Sequence, residues 1–279
     1  MKKLIFKIIR LSGLPYLFRT LVQKNKVTIL VYHEMTPEVA EKNFLYLIKN
    51  YNIISLQDFF KAHQSKNQQL LPKNALVITF DDGRKSNFQL LPLIKKHKIP
   101  VTIFLNSGII GTNRHYWFRF KQEKYTNEEL KKLSNKERLK RLEDLGFKQE
   151  KEFDTPWAMN KEEIMEMSKW VDMQSHTVFH PILPKCDDQE ASFEITNCRS
   201  ILEKEYGFNI NALAYPNGDY SIRDIEIAKN AGFKFGLTTE KGFNTIHTDP
   251  FKLKRLDPND TANMDELIVK SSGILSLFG

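Results

Sequence analysis

Only two cysteines, Cys186 and Cys198, occur in 279 residues. A disulfide framework and a cysteine-built zinc site are thereby excluded, and both thiols are expected to be buried and free. No apolar run is long enough to cross a bilayer, and no internal repeat or low-complexity tract interrupts the chain. Zinc-finger spacings and the aromatic motifs of RNA readers are missing. Basic runs such as Lys95-Lys96-His97-Lys98 fall on expected helices as solvated faces, so no nucleic-acid partner is expected. Acids are the scarcer charge, 34 against 42 Lys+Arg, and the net +8 suits a polyanion or an anionic membrane as neighbour. With 41% hydrophobic residues the chain can bury a substantial core, as one large domain or two small ones.

The amino terminus, MKKLIFKIIRLSGLPYLF, begins like a signal peptide, but Lys7 and Arg10 interrupt its apolar run and no small-residue cleavage site follows. Read as one helix over residues 1–24, it places Leu4, Ile8 and Leu11 on one stripe and Lys3, Lys7 and Arg10 on the next. That pattern fits an amphipathic helix on a membrane surface, or a helix packed over the domain's own core. The expected location is the cytoplasmic side, with peripheral membrane contact under the first reading.

Short β-rich runs alternate with helical patterns from residue 25 onward. Strands are expected at Val27–His33, Ile53–Ser55, Ala75–Phe80, Val101–Leu105, Val171–Ser175, Ala212–Tyr215 and Phe235–Thr238. Apolar-periodic helices fall between them, at Val39–Asn50, Leu56–Gln64, Phe88–His97, Lys161–Trp170, Gln189–Tyr206 and Ile222–Ala231. The alternation predicts parallel strands joined by right-handed crossovers, an α/β sheet or, with about seven strands, a barrel. Residues 112–157 break the rhythm with charged helical stretches opened by His115-Tyr-Trp-Phe118. We read an insertion in a 25–279 domain, its aromatics pinning it to the core or flanking a sugar site.

Chemically capable side chains stand where the expected strands run out: His33, Asp81 with Asp82, His176 with His180, and the Pro216-Asn-Gly218 turn. In a parallel barrel such ends converge on one mouth. Adjacent carboxylates resist sharing their charge unless something neutralises it, and histidines four apart share one face of a helical turn. His176, His180 and one aspartate make the three-ligand set of a catalytic zinc centre. One carboxylate of the pair would hold the cation and the other would act as base toward water. Gly83 permits the sharp turn after them. The alternative is an Asp-Asp-Gly turn capping the next helix.

Three segments, Thr79-Phe-Asp-Asp-Gly83, His176-Thr-Val-Phe-His180 and Ala214-Tyr-Pro-Asn-Gly218, resemble in order the first three motifs of the polysaccharide deacetylases, carbohydrate esterase family 4 or the NodB-homology family. Leu30-Val-Tyr-His33 and Ala231–Thr238 resemble flanking segments of the biofilm-polysaccharide branch, and the likeness runs from Thr28 to Leu256. It implies a distorted (β/α)7 barrel and a divalent ion, usually zinc, held by Asp82, His176 and His180. It further implies Asp81 as the catalytic base and the Asn217 backbone N–H as oxyanion donor, with Tyr215 and Pro216 beside it at the substrate.

Two departures stand out. Ala214 occupies the place of an arginine that commonly orients the base, and the expected substitute is Arg255, unless that residue is a surface strand arginine. The late Leu-x-x-His acid motif is not evident, and His247 has the wrong surroundings. The resemblance gives the acid role to His33; a packing histidine is the alternative. The implied activity is removal of N-acetyl groups from an acetylated amino-sugar polymer or a lipid-linked glycan. A binding module that has lost catalysis, and a deacylase of a small amide or O-acetyl ester, are the other readings.

Overall fold

The computed structural model describes residues 2–277. Its strands are β1 (Val27–Tyr32), β2 (Asn52–Ile53), β3 (Ala75–Phe80), β4 (Val101–Leu105), β5 (Asp172–Ser175), β6 (Ala212–Ala214) and β7 (Phe235–Leu237). All pair in parallel, in the order β1-β3-β4-β5-β6-β7, with β2 beside the first residues of β3. Every residue of β1, β3 and β4 is buried, the condition that selects near-continuous apolar runs in parallel strands.

The sheet curls, and a short segment closes it. Leu253 accepts from Thr238 N–H and donates to Gly236, while Leu256 accepts from Val31 N–H and donates to Ile29. Residues 253–256 therefore bridge β7 to β1, completing the distorted (β/α) barrel expected from the sequence.

Helices surround this sheet: α1 (Lys2–Leu11), α2 (Leu14–Phe18), α3 (Pro37–Asn50), α4 (Leu56–Gln64), α5 (Lys85–Phe88), α6 (Leu91–His97), α7 (Asn127–Lys132), α8 (Asn135–Glu143), α9 (Lys161–Met167), α10 (Asp188–Tyr206), α11 (Ile222–Asn230) and α12 (Met264–Ser271). Alternating strand residues divide the core in two. Leu30, Ile78 and Ile103 face outward to the helices, whereas Ile29, Val77, Phe104 and Leu237 fill the barrel with Phe59 and Phe60 of α4. The Phe60 and Phe235 rings stack at 3.6 Å between centroids.

Two expected helices are divided. Phe88–His97 is split into α5 and α6, with Pro92 in the first turn of α6, the position where proline's missing N–H costs least. Residues 1–24 are not one helix. Gly13, at φ 76°, and Pro15 end α1 and begin α2, which runs on into a π-helical turn at Arg19–Gln23. No residue of α1 is fully buried, yet Phe6 and Ile9 are half-buried and the helix packs along α12, with Arg10 Nε 2.5 Å from Asp265. No helix among the described residues is long and apolar enough to cross a membrane. Both cysteines are buried and free.

Residues 112–157 carry α7 and α8 around a small cluster of their own, Trp117, Leu130, Leu142 and Phe147, closed by Ile182 of the main body.

Candidate active site

Asp81 and Asp82 follow the last residue of β3, and the chain turns there at once. Asp82 takes φ 74° and Gly83 φ 62°, a left-handed pair that glycine enters freely and aspartate tolerates. A Cβ on Gly83 would lie 2.5 Å from Leu105 Cδ2. Neither aspartate caps the following helix: the residue ahead of α5 is Arg84, which makes no side-chain cap.

His176 and His180 come from the loop after β5. Their spacing suggested a helical turn; the structure shows none. Thr177 and His180 are left-handed, at φ 70° and 57°, and this kinked loop turns both rings toward Asp82. Asp82 Oδ1 lies 3.7 Å from His176 Nε2 and 3.6 Å from His180 Nε2, too far for hydrogen bonds. These separations fit the edge of a tetrahedron, about 3.3 Å for ligands roughly 2.0–2.1 Å from its centre. Among the described residues Asp82 Oδ1 has no hydrogen-bond partner although it is buried. His176 Nδ1 is 2.7 Å from the Ala214 carbonyl; it donates there, which aims Nε2 at the carboxylate. Burial pushes the His180 imidazole down to about 3, against the pull of Asp82, so it is neutral near pH 7. Two imidazole nitrogens and a carboxylate oxygen with no hydrogen bond between them fit a divalent cation, and Asp82, His176 and His180 are the residues that could hold it.

Each of these three has its main-chain carbonyl held by another side chain. Tyr116 Oη donates to Asp82 O at 2.6 Å, Trp117 Nε1 to His180 O at 2.9 Å, and Asn106 Nδ2 to His176 O. The aromatics of the insertion therefore pin it to the core, as one of the two sequence readings held, and they do so at the site. Phe118, whose ring lies 4.9 Å from His180, lines the mouth with Asn127 and Lys131 of α7. Sequence reasoning missed the purpose of Tyr116, Trp117 and Asn106, because bonds to backbone carbonyls leave no motif.

Arg84 was also missed. Its Nε and Nη2 both donate to Asp82 Oδ2, at 3.0 and 2.6 Å, and its Nη1 reaches Glu34. One carboxylate oxygen is thus occupied by arginine and the other left free for the centre. Burial acts to raise the Asp82 pKa, but His180, Arg84 and His176 outweigh it and hold the carboxyl below its usual range.

Asp81 is organised differently. Arg255 donates from Nη1 to Oδ1 and from Nη2 to Oδ2, both at 2.8 Å, and from Nε to the Thr238 carbonyl. Arg255 is 1% exposed, so it is no surface arginine. Asp81 Oδ2 stands 3.9 Å from His176 Nε2. Burial would raise its pKa, yet Arg255 and His176 bring it below the usual value.

His33 lies half-buried on the rim, its main-chain N–H donated to Asp260 Oδ1 at 2.9 Å and its Nδ1 3.9 Å from Oδ2. Asn217, left-handed at φ 56°, faces the same mouth. Tyr215 and Pro216 do not. Tyr215 is fully buried and its hydroxyl donates to the Phe251 carbonyl at 3.2 Å, and Pro216 is buried behind Asn217. Arg255 likewise addresses Asp81 rather than a substrate. The mouth encloses about 170 Å³, below the roughly 300–1,000 Å³ of pockets that engulf a whole small ligand.

A parallel barrel carrying paired aspartates and a histidine pair at the carboxyl ends of its strands has the architecture of a hydrolase, and its relatives state which kind. Residues 68–236 match the polysaccharide deacetylase family, and the chain belongs to that family: it is a polysaccharide deacetylase, a hydrolase. Over 266 residues it is 26% identical to the poly-beta-1,6-N-acetyl-D-glucosamine N-deacetylase of Staphylococcus epidermidis, covering 84% of this chain and 79% of that protein. A putative polysaccharide deacetylase of Bacillus subtilis, YxkH, is 22% identical over 83% of this chain and 71% of its own length. Two solved structures share the fold: IcaB from Ammonifex degensii (TM-score 0.64, 18% identity, covering 88% of this chain and 98% of that one) and the Streptococcus pyogenes deacetylase PplD (TM-score 0.63, 20% identity, with the same coverage).

Proposed function

We propose that the chain is a metal-dependent N-deacetylase of an amino-sugar polymer or a lipid-linked glycan, acting through Asp81, Asp82, His176, His180, Asn217 and His33. The observation that carries the reading is the buried, unpartnered Asp82 Oδ1 facing two imidazole nitrogens, with a second aspartate fixed alongside by arginine.

Asp82, His176 and His180 would hold the ion, zinc by its preference for two imidazoles and a carboxylate. When bound, such an ion polarises the acetyl carbonyl and acidifies water toward neutrality. Asp81 accepts the proton of the attacking water, and Arg255 fixes the direction of its lone pairs. The Asn217 N–H donates to the developing oxyanion, an interaction typically worth about 3 kcal/mol. His33, open to the rim, gives a proton to the departing amine. Free amino sugar and acetate leave.

The small mouth supports a substrate that inserts one acetamido group and leaves the rest outside, which favours a glycan over a small cyclic amide. The relatives' named substrate points the same way. The missing arginine at Ala214 had encouraged a binding-only reading; Arg255 on Asp81 removes that encouragement. Residues 25–279 form one deacetylase domain in this reading, with the 112–157 insertion as one wall of its mouth. In this reading the domain works on the cytoplasmic side.

Acetate release tests the activity, measured on an N-acetylated β-1,6-glucosamine oligomer, an O-acetyl ester and a cyclic amide, before and after chelation. Chelator-sensitive release from the oligomer alone is expected. Undiminished release after chelation would overturn the metal, and release from only the ester or cyclic amide would overturn the substrate class. Degradation by protease added outside intact cells would overturn the compartment.

A further inference from the structure

The first acidic residue of the chain is Glu34. Before it come Lys2, Lys3, Lys7 and Arg10 in α1, then Arg19, Lys24 and Lys26. Within α1, residues three or four apart share a face, and the helix has two apolar sides. Phe6 and Ile9 are half-buried toward the body, where Arg10 Nε meets Asp265 of α12 at 2.5 Å. Leu4, Ile8 and Leu11 turn the other way and are 61%, 58% and 67% exposed. Past the Gly13–Pro15 break, Leu14, Leu17 and Leu21 are uncovered as well, the last at 77%. A single exposed leucine is ordinary; a run of them over consecutive helical turns is a patch that marks an interaction surface.

The charge identifies the occupant. Lys3 and Lys7 stand beside the stripe and, among the described residues, neither they nor Lys2 joins an ion pair. A second copy on this face would set these bases against their equivalents, since a twofold interface repeats one patch on both sides. An acidic protein would satisfy the lysines and leave the leucines unexplained. A lipid surface with negative headgroups satisfies both. We infer that α1 and the turns after it lie flat on an anionic lipid surface, with Leu4, Ile8 and Leu11 in the acyl boundary and Lys3 and Lys7 among the phosphates.

The contact is joined to the catalytic rim by a short segment. Asp260 accepts the main-chain N–H groups of His33 and Glu34. Two residues on, Ala262 and Asn263 line a cleft with Lys3, Leu4 and Lys7. One short segment therefore touches both the N-terminal helix and the rim. The docking stands by itself, while its use in presenting a glycan rests on the function proposed above.

The test uses the full chain without substrate or added metal, so its failure is separate from failure of the deacetylase reading. Protein is sedimented with vesicles of phosphatidylcholine alone, or of phosphatidylcholine with phosphatidylglycerol. Partitioning to the anionic vesicles should be higher by roughly tenfold or more and should decline as salt is raised. The Ile8→Glu/Leu11→Glu variant and the Lys3→Gln/Lys7→Gln variant should each lose that advantage with an unchanged melting temperature. Equal partitioning into both lipids, binding to neither, or anionic binding that survives both variants would overturn the inference. So would a solution dimer that Ile8→Glu dissociates, which would give the face to a second copy.

Discussion

Arg255 grips Asp81 with both terminal nitrogens, each 2.8 Å from its own carboxylate oxygen. A bidentate pair fixes direction as well as charge, and lysine cannot reproduce it. Arg255→Lys should therefore retain metal and lose turnover by about tenfold or more, comparable to other losses of positioning. Measuring kcat alongside metal content checks this; an unchanged kcat would remove Arg255 from the catalytic account. The same pair sets the acid limb of the pH–rate profile. Asp81 is held below its usual pKa, so the wild-type base stays ionised until the pH falls through that lowered value. In Arg255→Lys the limb should move upward.

Asp81 and Asp82 should separate cleanly on substitution. Asp81→Asn is expected to keep the metal and lose about 10²-fold or more in turnover, the scale of a lost general base. Asp82→Ala and His176→Ala should lose metal occupancy together with activity. Elemental analysis of the purified variants decides it, and a fully metallated, inactive Asp82→Ala would reverse the assigned roles.

Tyr116 and Trp117 hold the candidate ligands through backbone carbonyls. Tyr116→Phe removes one hydrogen bond, for which roughly 1 kcal/mol of stability is the expected cost. Its larger effect should be on metal affinity, lowered by about 10–100-fold, as when an outer-shell partner is lost. Trp117→Phe should behave alike. Competition with a chromophoric chelator measures both, and wild-type affinity in both variants would reduce these residues to packing.

Glu194 gives a stability test at the loop that carries the two histidines. It is buried in α10, accepts the Phe179 N–H at 2.8 Å, and burial raises its pKa from 4.5 to about 7. Between those values the folded state binds a proton that the unfolded state does not, so this group's contribution to stability declines as pH rises from about 4.5 to about 7. The full change is roughly 3 kcal/mol. Glu194→Gln should flatten that slope in melting curves taken across the interval. An identical pH dependence in the two proteins would refute the assignment.

The strands and their chemical ends were legible because a buried parallel strand must be apolar along its whole length, so Asp81 or His176 at its end stands out. Local backbone geometry was less accessible. The spacing of His176 and His180 is the same in a helix and in a loop kinked at Thr177, and only the φ angles tell them apart. Arg255 could be suspected but not placed, since its partner is 174 residues away. Gly13 and Pro15 did carry a legible signal against a continuous N-terminal helix; the amphipathic periodicity of α1 concealed it.

The segment that supplies Arg255 is also the one that joins β7 to β1. A growing chain makes its aspartates early and has to wait for its guanidinium until 174 more residues have been added after Asp81. Until that last edge zips shut, Asp81 lacks the guanidinium that fixes its carboxylate. Ripening of the enzyme and completion of its architecture are a single event.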